Sequence, residues 1–511
     1  MKRTISFIIA LLLVFGGAAM FVGCGNTKVP NSETDLQISF WKAGFGDTYM
    51  KQIIEAFETK HPEYNVIFDS SSDGFVYANT ITQGSSNTVD LYCTSVIDQP
   101  YKEYAEPLDD ILSCTVEGES VTIGNKLIPE VKDGLKFPDG HYYGLSYSGA
   151  LEGIVYNQTI IDGVKYKVPR TTNELADLVT NLANDADLKD TTKPFIHFKL
   201  GGYWNRVYKV WQAQYDGLDY YYNTFFTLSK DGVSPSKDVI TATDGRKAAL
   251  DVLGSIIRED TVVSGSNALV YTNAQTMFMN GSAAMMVTGN WLVNEMKSNT
   301  EATATDLKMM KTPVISSIRH RTPSIESDYE LRYLIDAIDA AGSISEIALS
   351  GENYDVTEED LNAVYEARNL MSSNFDGEVF IIPEYSNAKA AAKEFIKFYY
   401  SDEAIRIFAN NTHSASPARL SSGSIDTADW LDFEKTAIEL TQTSIPVLQE
   451  AVPYRNVLFT EGGLNAYGKT EVIAAFFAES RDRKTADVLW SEAVSYFNNN
   501  WNTFLQNAGL R

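Results

Sequence analysis

Between Gly462 and Thr470 the chain reads GGLNAYGKT, and Gly463 to Thr470 fit the pattern G-x-x-x-x-G-K-[ST]. In a phosphate-binding loop of this type the backbone N–H groups wrap the phosphates. The lysine, here Lys469, pairs with them, and the hydroxyl, here of Thr470, holds Mg²⁺. An apolar stretch, Val457-Leu458-Phe459, precedes the match and a helix-like run, EVIAAFF, follows it. A second group of residues points to different chemistry. Aromatic residues make up 12% of the chain, with 28 tyrosines, and suit a ligand with flat apolar faces. The five histidines (His61, His141, His197, His320, His413) show no metal-ligand spacing, and neither H-E-x-x-H nor G-x-S-x-G occurs. These patterns point away from common hydrolase chemistry, and no cofactor or metal is expected.

The elements that would position such residues alternate between strand and helix. LQISFW is strand-like and leads through Trp41 into a Gly-rich loop, KAGFGD. Asp47 then stands at an N-cap position, and Met50, Ile53, Ile54 and Phe57 recur at helical spacing. NVIFDSS and NTVDLYC read as further strands, so a parallel α/β sheet is expected. Thr171 and Glu174 form a capping-box pattern ahead of Leu175, Leu178, Val179 and Leu182. DGRKAALDVLGSII and AAAKEFIKFYY repeat the amphipathic pattern. An acidic segment, 316–378, holds two short amphipathic helices, one with Leu331, Leu334, Ile335 and Ile338, the other with Leu361, Val364 and Tyr365.

The N-terminus has the layout of a secretory signal: Lys2 and Arg3, then an apolar run from Ile5 to Phe15, then small residues before Cys24. FVGC resembles a bacterial lipobox, which implies a signal peptide over 1–23, lipidation of Cys24 and a polar tether over 24–35. Lipidation at Cys24 would anchor the protein without a spanning helix. The formal net charge of −25 opposes binding to nucleic acid and to anionic headgroups. Cys93 and Cys114 could pair in an exported protein, but buried thiols are the plainer reading.

Several stretches, in order, resemble the family 1 extracellular solute-binding proteins, the maltose-binding-protein type that serves sugar ABC importers. They are FWKAGFGDTYMKQIIEAFETKHPEYNV, DGHYYGLSYSGALEGIVYN, FMNGSAAMMVTGNW and NAKAAAKEFIKFYYSDEAIRIF with SASPAR. The resemblance implies a type II periplasmic-binding-protein-like fold, two α/β lobes joined by hinge strands, with a ligand in the cleft between them. One lobe would take 36–150 and 308–420, including the acidic insertion 316–378. The other would take 152–306 and 421–511. The implied partners are an oligosaccharide or other small carbohydrate and the permease subunits of an ABC transporter energised by a cytoplasmic ATPase. A monomer on the outer face of the cytoplasmic membrane is expected.

This context answers the question set by GGLNAYGKT. The match lies 41 residues from the chain's last residue, with no room after it for the remaining strands of a nucleotide-binding domain. The favoured reading is a Gly-rich cleft loop with Thr470 capping the following helix. A sugar offers C–H faces to aromatic rings and hydroxyls to carboxylates and amides. The candidates are Trp41 and Asp47 around the first loop, Asp73 after the second strand, and Tyr147 and Glu152 in the hinge stretch. Tyr203 and Trp204, Asn290 and Trp291, and Tyr385 complete the set. Asp47 could instead be a plain N-cap, Glu152 a structural partner of a lysine, and Trp291 a core residue. An exported carbohydrate-active enzyme is the alternative to a binding protein, because aromatics plus carboxylates also describe a glycosidase cleft. A surface adhesin would need no hinged cleft.

Overall fold

The computed structural model describes residues 32–71, 80–95, 97, 99–163, 165–242, 245–299, 306–347, 356–448, 456–464, 472–478 and 482–511. Cys24 with the whole signal segment, Asp73, and the Lys469-Thr470 end of the Gly-rich match lie outside the described residues.

The first lobe is built on β1 (Asp35–Trp41), β2 (Asn65–Ser71), β3 (Leu91–Ser95), β4 (Leu145–Ser148) and β10 (Glu378–Ile381), in the order β2-β1-β3-β10-β4. β1 runs parallel to β2 and β3, whereas β10 is antiparallel to β3 and β4. The expected all-parallel sheet is thus a mixed one, because β10 enters from the other lobe and runs the opposite way. Helix α1 (Thr48–Lys60) buries Met50, Ile53, Ile54 and Phe57 against this sheet, as its spacing requires. Helices α8 (Lys389–Tyr399) and α9 (Asp402–Thr412) join the same core. The hydroxyls of Tyr399 and Tyr400 donate to the carbonyls of Tyr147 and Ser146, pinning the end of α8 to β4.

The second lobe carries β11-β9-β5-β7-β6, with β8 (Leu307–Met309) beside β5. Its strands are β5 (Leu151–Asn157), β6 (Lys193–Ile196), β7 (Ala283–Gly289), β9 (Leu370–Ser373) and β11 (Ile445–Leu448). Helices α2 (Thr172–Asn184), α3 (Trp204–Asp216) and α4 (Gly245–Ile256) pack on it. At the start of α2 the Thr171 side chain accepts from the N–H of Glu174, but the Glu174 carboxylate turns to Arg170 rather than completing the box.

One boundary differs from expectation. The resemblance implies the first lobe for 308–420, yet β8 pairs with β5 of the second sheet, and Leu331, Leu334, Ile335 and Ile338 of α6 (Asp328–Ala340) pack in the core of the second lobe. Val364 and Ala367 of α7 (Glu358–Asn369) join them. The reason is that α7 runs directly into β9, a strand of the second sheet, so the chain returns to the first lobe only at β10. Cys93 and Cys114 are both free, Cys93 in the core on β3 and Cys114 half-buried.

Candidate functional site between the lobes

Two connections cross between the sheets side by side, β4 to β5 through Gly149-Ala150, and β9 to β10 through Asn374–Gly377. Asn374 ties them, its Oδ1 accepting from the N–H of Ala150 at 2.6 Å and its own N–H donating to the Ala150 carbonyl at 3.1 Å. Gly149 is required at this contact, since a Cβ there would stand 2.5 Å from Cα of Phe375. A third stretch, after α9, returns the chain to the second lobe at α10 (Asp432–Thr443), whose Phe433 and Leu440 pack there.

The end of β7 delivers Asn290 and Trp291 to this junction. Asn290 donates through Nδ2 to Oγ of Ser414, just beyond α9, at 2.9 Å, while its Oδ1 is buried without a hydrogen-bond partner. Trp291 is buried, 8% exposed, where the two lobes meet. Its indole lies against Gly44 of the first lobe, in the KAGFGD loop after β1, and meets the edge of Tyr203 at 5.5 Å between ring centroids. Behind it Gln275 donates to Glu295 at 2.7 Å, and burial raises the Glu295 carboxyl above its ordinary range.

Glu152 faces the same neighbourhood from β5. It is fully buried, accepts from the Ser372 hydroxyl at 3.0 Å and lies 3.3 Å from Nε of Arg206. Glu152 is thus in a structural ion pair, with Arg206 where a lysine is expected. Tyr203, half-buried at the start of α3, has its hydroxyl pushed well up by burial, then by the charges of Glu152 and Glu295.

The remaining candidates lie elsewhere. Tyr147 has no exposed surface, its ring packed on Phe40 and Phe380 in the first core, so it is a core residue rather than a ligand contact. Trp204 is likewise in the second core, edge-on to Phe195, and Trp211 donates its indole N–H to the Pro313 carbonyl in the same interior. Asp47 stands at the N-cap position of α1 but makes no side-chain cap bond. It accepts from Ser70 and pairs with Lys51 at 3.0 Å. Burial would raise its carboxyl, but the Lys51 and Ser70 hydrogen bonds and the charges of Lys42 and Lys51 leave it lowered. Tyr385 bonds the Tyr92 hydroxyl at 3.1 Å within the first lobe, and Trp41 is half-buried at the end of β1. The structure thus gathers Glu152, Tyr203, Asn290 and Trp291, with Trp41 heading the loop that presents Gly44.

Gly44, Asn374 and Ser414 escaped the sequence reading. Only Gly44 carried a signal, as part of a Gly-rich loop directly after a strand. Among the described residues no group of three or more His, Cys, Asp or Glu could hold a metal ion, and no helix is long and apolar enough to cross a membrane.

A sequence profile of the bacterial extracellular solute-binding proteins matches residues 52–433. The chain belongs to that family. It is 27% identical over 199 residues to the diacetylchitobiose binding protein NgcE of Streptomyces coelicolor, an alignment covering 39% of either chain. It is 24% identical over 275 residues to a putative binding protein of Brucella abortus, covering 52% of this chain and 60% of that one. The chain therefore spans well under two thirds of the length of these relatives. Among solved structures, the solute receptor AcbH, described as having an exclusive preference for β-D-galactopyranose, superimposes with a TM-score of 0.61. The identity there is 15%, over 93% of this chain and all of that one, so the likeness establishes the two-lobed fold.

Proposed function

We propose that this solute-binding protein captures a carbohydrate, an oligosaccharide, between its lobes and delivers it to the permease subunits of an ABC transporter. The observation that carries the reading is Trp291. A large flat ring is held where the lobes meet, perpendicular to Tyr203 and against Gly44. Beside it, Asn290 has a buried amide oxygen without a partner. A ring face for C–H groups and an amide acceptor for a hydroxyl are what a sugar needs. Closure of the lobes about the tied crossings would enclose the ligand, as hinge motions do in two-lobed binding proteins. The relative that binds diacetylchitobiose supports the same ligand class. The further parts of the proposal are a lipid anchor at Cys24, action as a monomer on the outer face of the cytoplasmic membrane, and no catalytic activity.

The alternative, an exported carbohydrate-active enzyme, needs a carboxylate pair flanking a glycosidic bond. Two buried carboxylates near the crossings, Glu152 and Glu378, do not fit that role. The first is held by Arg206 and Ser372, and the second is closed off from a ligand, 7% exposed and bonded by Ser148 beside the core tyrosines Tyr49, Tyr147 and Tyr399. Incubating the purified protein with a glycan panel, with calorimetry for binding and chromatography for products, tests the reading. Saturable binding without products is expected. Turnover products would sink it in favour of the enzyme, and an absence of binding across the panel would remove the carbohydrate assignment.

A further inference from the structure

The two tied crossings carry the same pair of residues in the same order. β4 ends in Ser148 and β5 brings Glu152, while β9 carries Ser372 and β10 opens with Glu378. Because the strands run antiparallel, each glutamate stands opposite the serine of the other crossing. Glu378 pairs in register with Ser148 on the first-lobe side of the Asn374 tie, and Glu152 pairs with Ser372 on the second-lobe side. All four are buried, Glu378 at 7% exposure and Glu152 at 1%.

The two carboxyls differ in what answers their charge. Glu152 has Nε of Arg206 at 3.3 Å and the Ser372 hydroxyl at 3.0 Å. Glu378 has no such cation among the described residues. The titratable groups packed about it are the hydroxyls of Tyr49 on α1, Tyr147 on β4 and Tyr399 on α8, with the Cys93 thiol of β3 in the same core. The charge that acts on it is that of Glu152, across the tie and of the same sign. Two more acids belong to this region. Asp376 is fully buried in the β9–β10 crossing, and Glu295 is half-buried at the junction, bonded by Gln275 of α5 (Tyr271–Met279) at 2.7 Å. A carboxyl shut away from water with no cation beside it holds its proton. Burial accordingly pushes Glu378 up to about 7, with the Ser148 hydroxyl opposing and the charge of Glu152 adding.

We infer that Glu378 is a proton switch in the hinge: closure of the lobes on a ligand draws a proton from solvent onto its carboxylate, so that acid pH favours the closed state. The inference rests on capture of a ligand between the lobes, as read above, and adds a control of that capture by pH. Glu378 and Glu152 stand on opposite sides of the tie about which the lobes turn, so lobe angle changes their separation and the water between them. Closure expels water from the cleft and strengthens repulsion between like charges, and both changes disfavour the ionised carboxyl. The closed state therefore holds the proton more tightly than the open one. Closure is fully favoured at the acid end, where both states carry the proton. It loses that support as pH rises through the value of the closed state. The linkage is reciprocal: a proton that favours the ligand is favoured by it to the same degree.

The test screens chito-, malto- and galacto-trisaccharides and carries the tightest binder into calorimetry in buffers of different ionisation enthalpy, which counts the protons taken up. Uptake should be greatest near the Glu378 value, and wild-type affinity should fall at least about threefold between the acid and alkaline sides of it. Glu378→Gln should abolish the uptake and hold affinity near its acid value throughout. Ser148→Ala, which removes a group that favours the ionised form, should move the uptake maximum to higher pH and tests the switch even if Glu378→Gln folds poorly. Binding without uptake, release in place of uptake, or uptake that survives Glu378→Gln and so belongs to Glu295 would overturn the switch while leaving the carbohydrate reading intact. Binding of no trisaccharide would count against the carbohydrate reading, and the switch is then read without sugar. Scattering from the ligand-free protein should show a radius of gyration that grows with rising pH in the wild type and stays at the acid value in Glu378→Gln. A radius independent of pH would overturn the switch on its own.

Discussion

The indole of Trp291 in one lobe lies against Gly44 in the other, so near that a Cβ on Gly44 would stand 2.9 Å from the ring's Cγ. The ring has little room to retreat, because a Cβ at Gly289 would come within 2.1 Å of its far end. Gly44→Val should therefore hold the lobes apart without touching either core. Overpacking of this kind costs about 1–3 kcal/mol, here levied on closure, so ligand affinity should fall by roughly 5- to 150-fold. Calorimetry against the bound glycan, with scattering to measure lobe opening, checks it. Unchanged affinity would mean that this contact takes no part in the ligand-bound state.

Trp291→Ala separates a ligand contact from a structural one by magnitude. Loss of a stacked ring face should remove roughly 1.5–3 kcal/mol of binding, from about 25 cal/mol per Å² of apolar surface. That corresponds to about 10- to 150-fold in affinity, with little change in the ligand-free melt. A core tryptophan would instead cost about 3–5 kcal/mol of stability. A collapsed melt with near-normal affinity in the surviving folded protein would assign Trp291 to packing.

Gly149→Ala tests the crossing. The new methyl would meet the backbone of Phe375, 2.5 Å from its Cα, as well as its ring, so a rotamer change alone does not remove the clash. A loss of about 1–3 kcal/mol of stability is expected, visible in denaturant unfolding as a lower midpoint. An unshifted midpoint would show that the two crossings can separate at no cost.

The fold was legible wherever spacing alone decides the outcome. Met50, Ile53, Ile54 and Phe57 on α1, and Leu331, Leu334, Ile335 and Ile338 on α6, are buried as their periodicity requires. Periodicity gives a stripe but not the surface that the stripe meets, so nothing local in 316–378 tells which lobe its helices join. Aromatic candidates met a similar limit. Tyr203 and Trp204 are neighbours at the start of one helix, where each step turns the side chain by about 100°. One therefore borders the junction while the next enters the core. All four residues of β4 are buried, so Tyr147 offered no alternation by which its direction could be read. Gly44 and Asn374 matter through contacts with residues distant in sequence, and no local pattern announces such pairs.

The FVGC stretch allows a direct test of anchoring. Cys24→Ser should leave the protein unlipidated, either in the supernatant or as an uncleaved precursor, because the acyl chains attach through that sulfur. Fractionation and mass spectrometry of the intact chain decide it. Unchanged membrane association together with full processing would refute the anchor.

Glu378 predicts a pH dependence centred on the crossing. It opens β10, opposite Ser95 of β3 and Ser148 of β4, and is only 7% exposed. Burial pushes its carboxyl up to about 7, the Ser148 hydroxyl opposes this in part, and the charge of Glu152 adds to the rise. Burial raises the hydroxyls of Tyr49, Tyr147 and Tyr399 well above their ordinary value, the charge of Glu378 adds to this, and they stay neutral throughout this range. The ordinary value is 4.5, so between that value and about 7 the folded protein holds a proton that the unfolded chain releases. Stability is then fully present at the acid end and is lost as pH rises through the folded value. The shift corresponds to roughly 3 kcal/mol at most. Glu378→Gln keeps the neutral form at every pH, so its stability relative to wild type should grow from about pH 5 to about pH 7 and level off above that. Denaturant unfolding of both proteins at several pH values isolates the effect, since all other titrating groups are shared. Parallel curves would mean that Glu378 is already ionised in the folded protein, and that the crossing holds a charge rather than a proton.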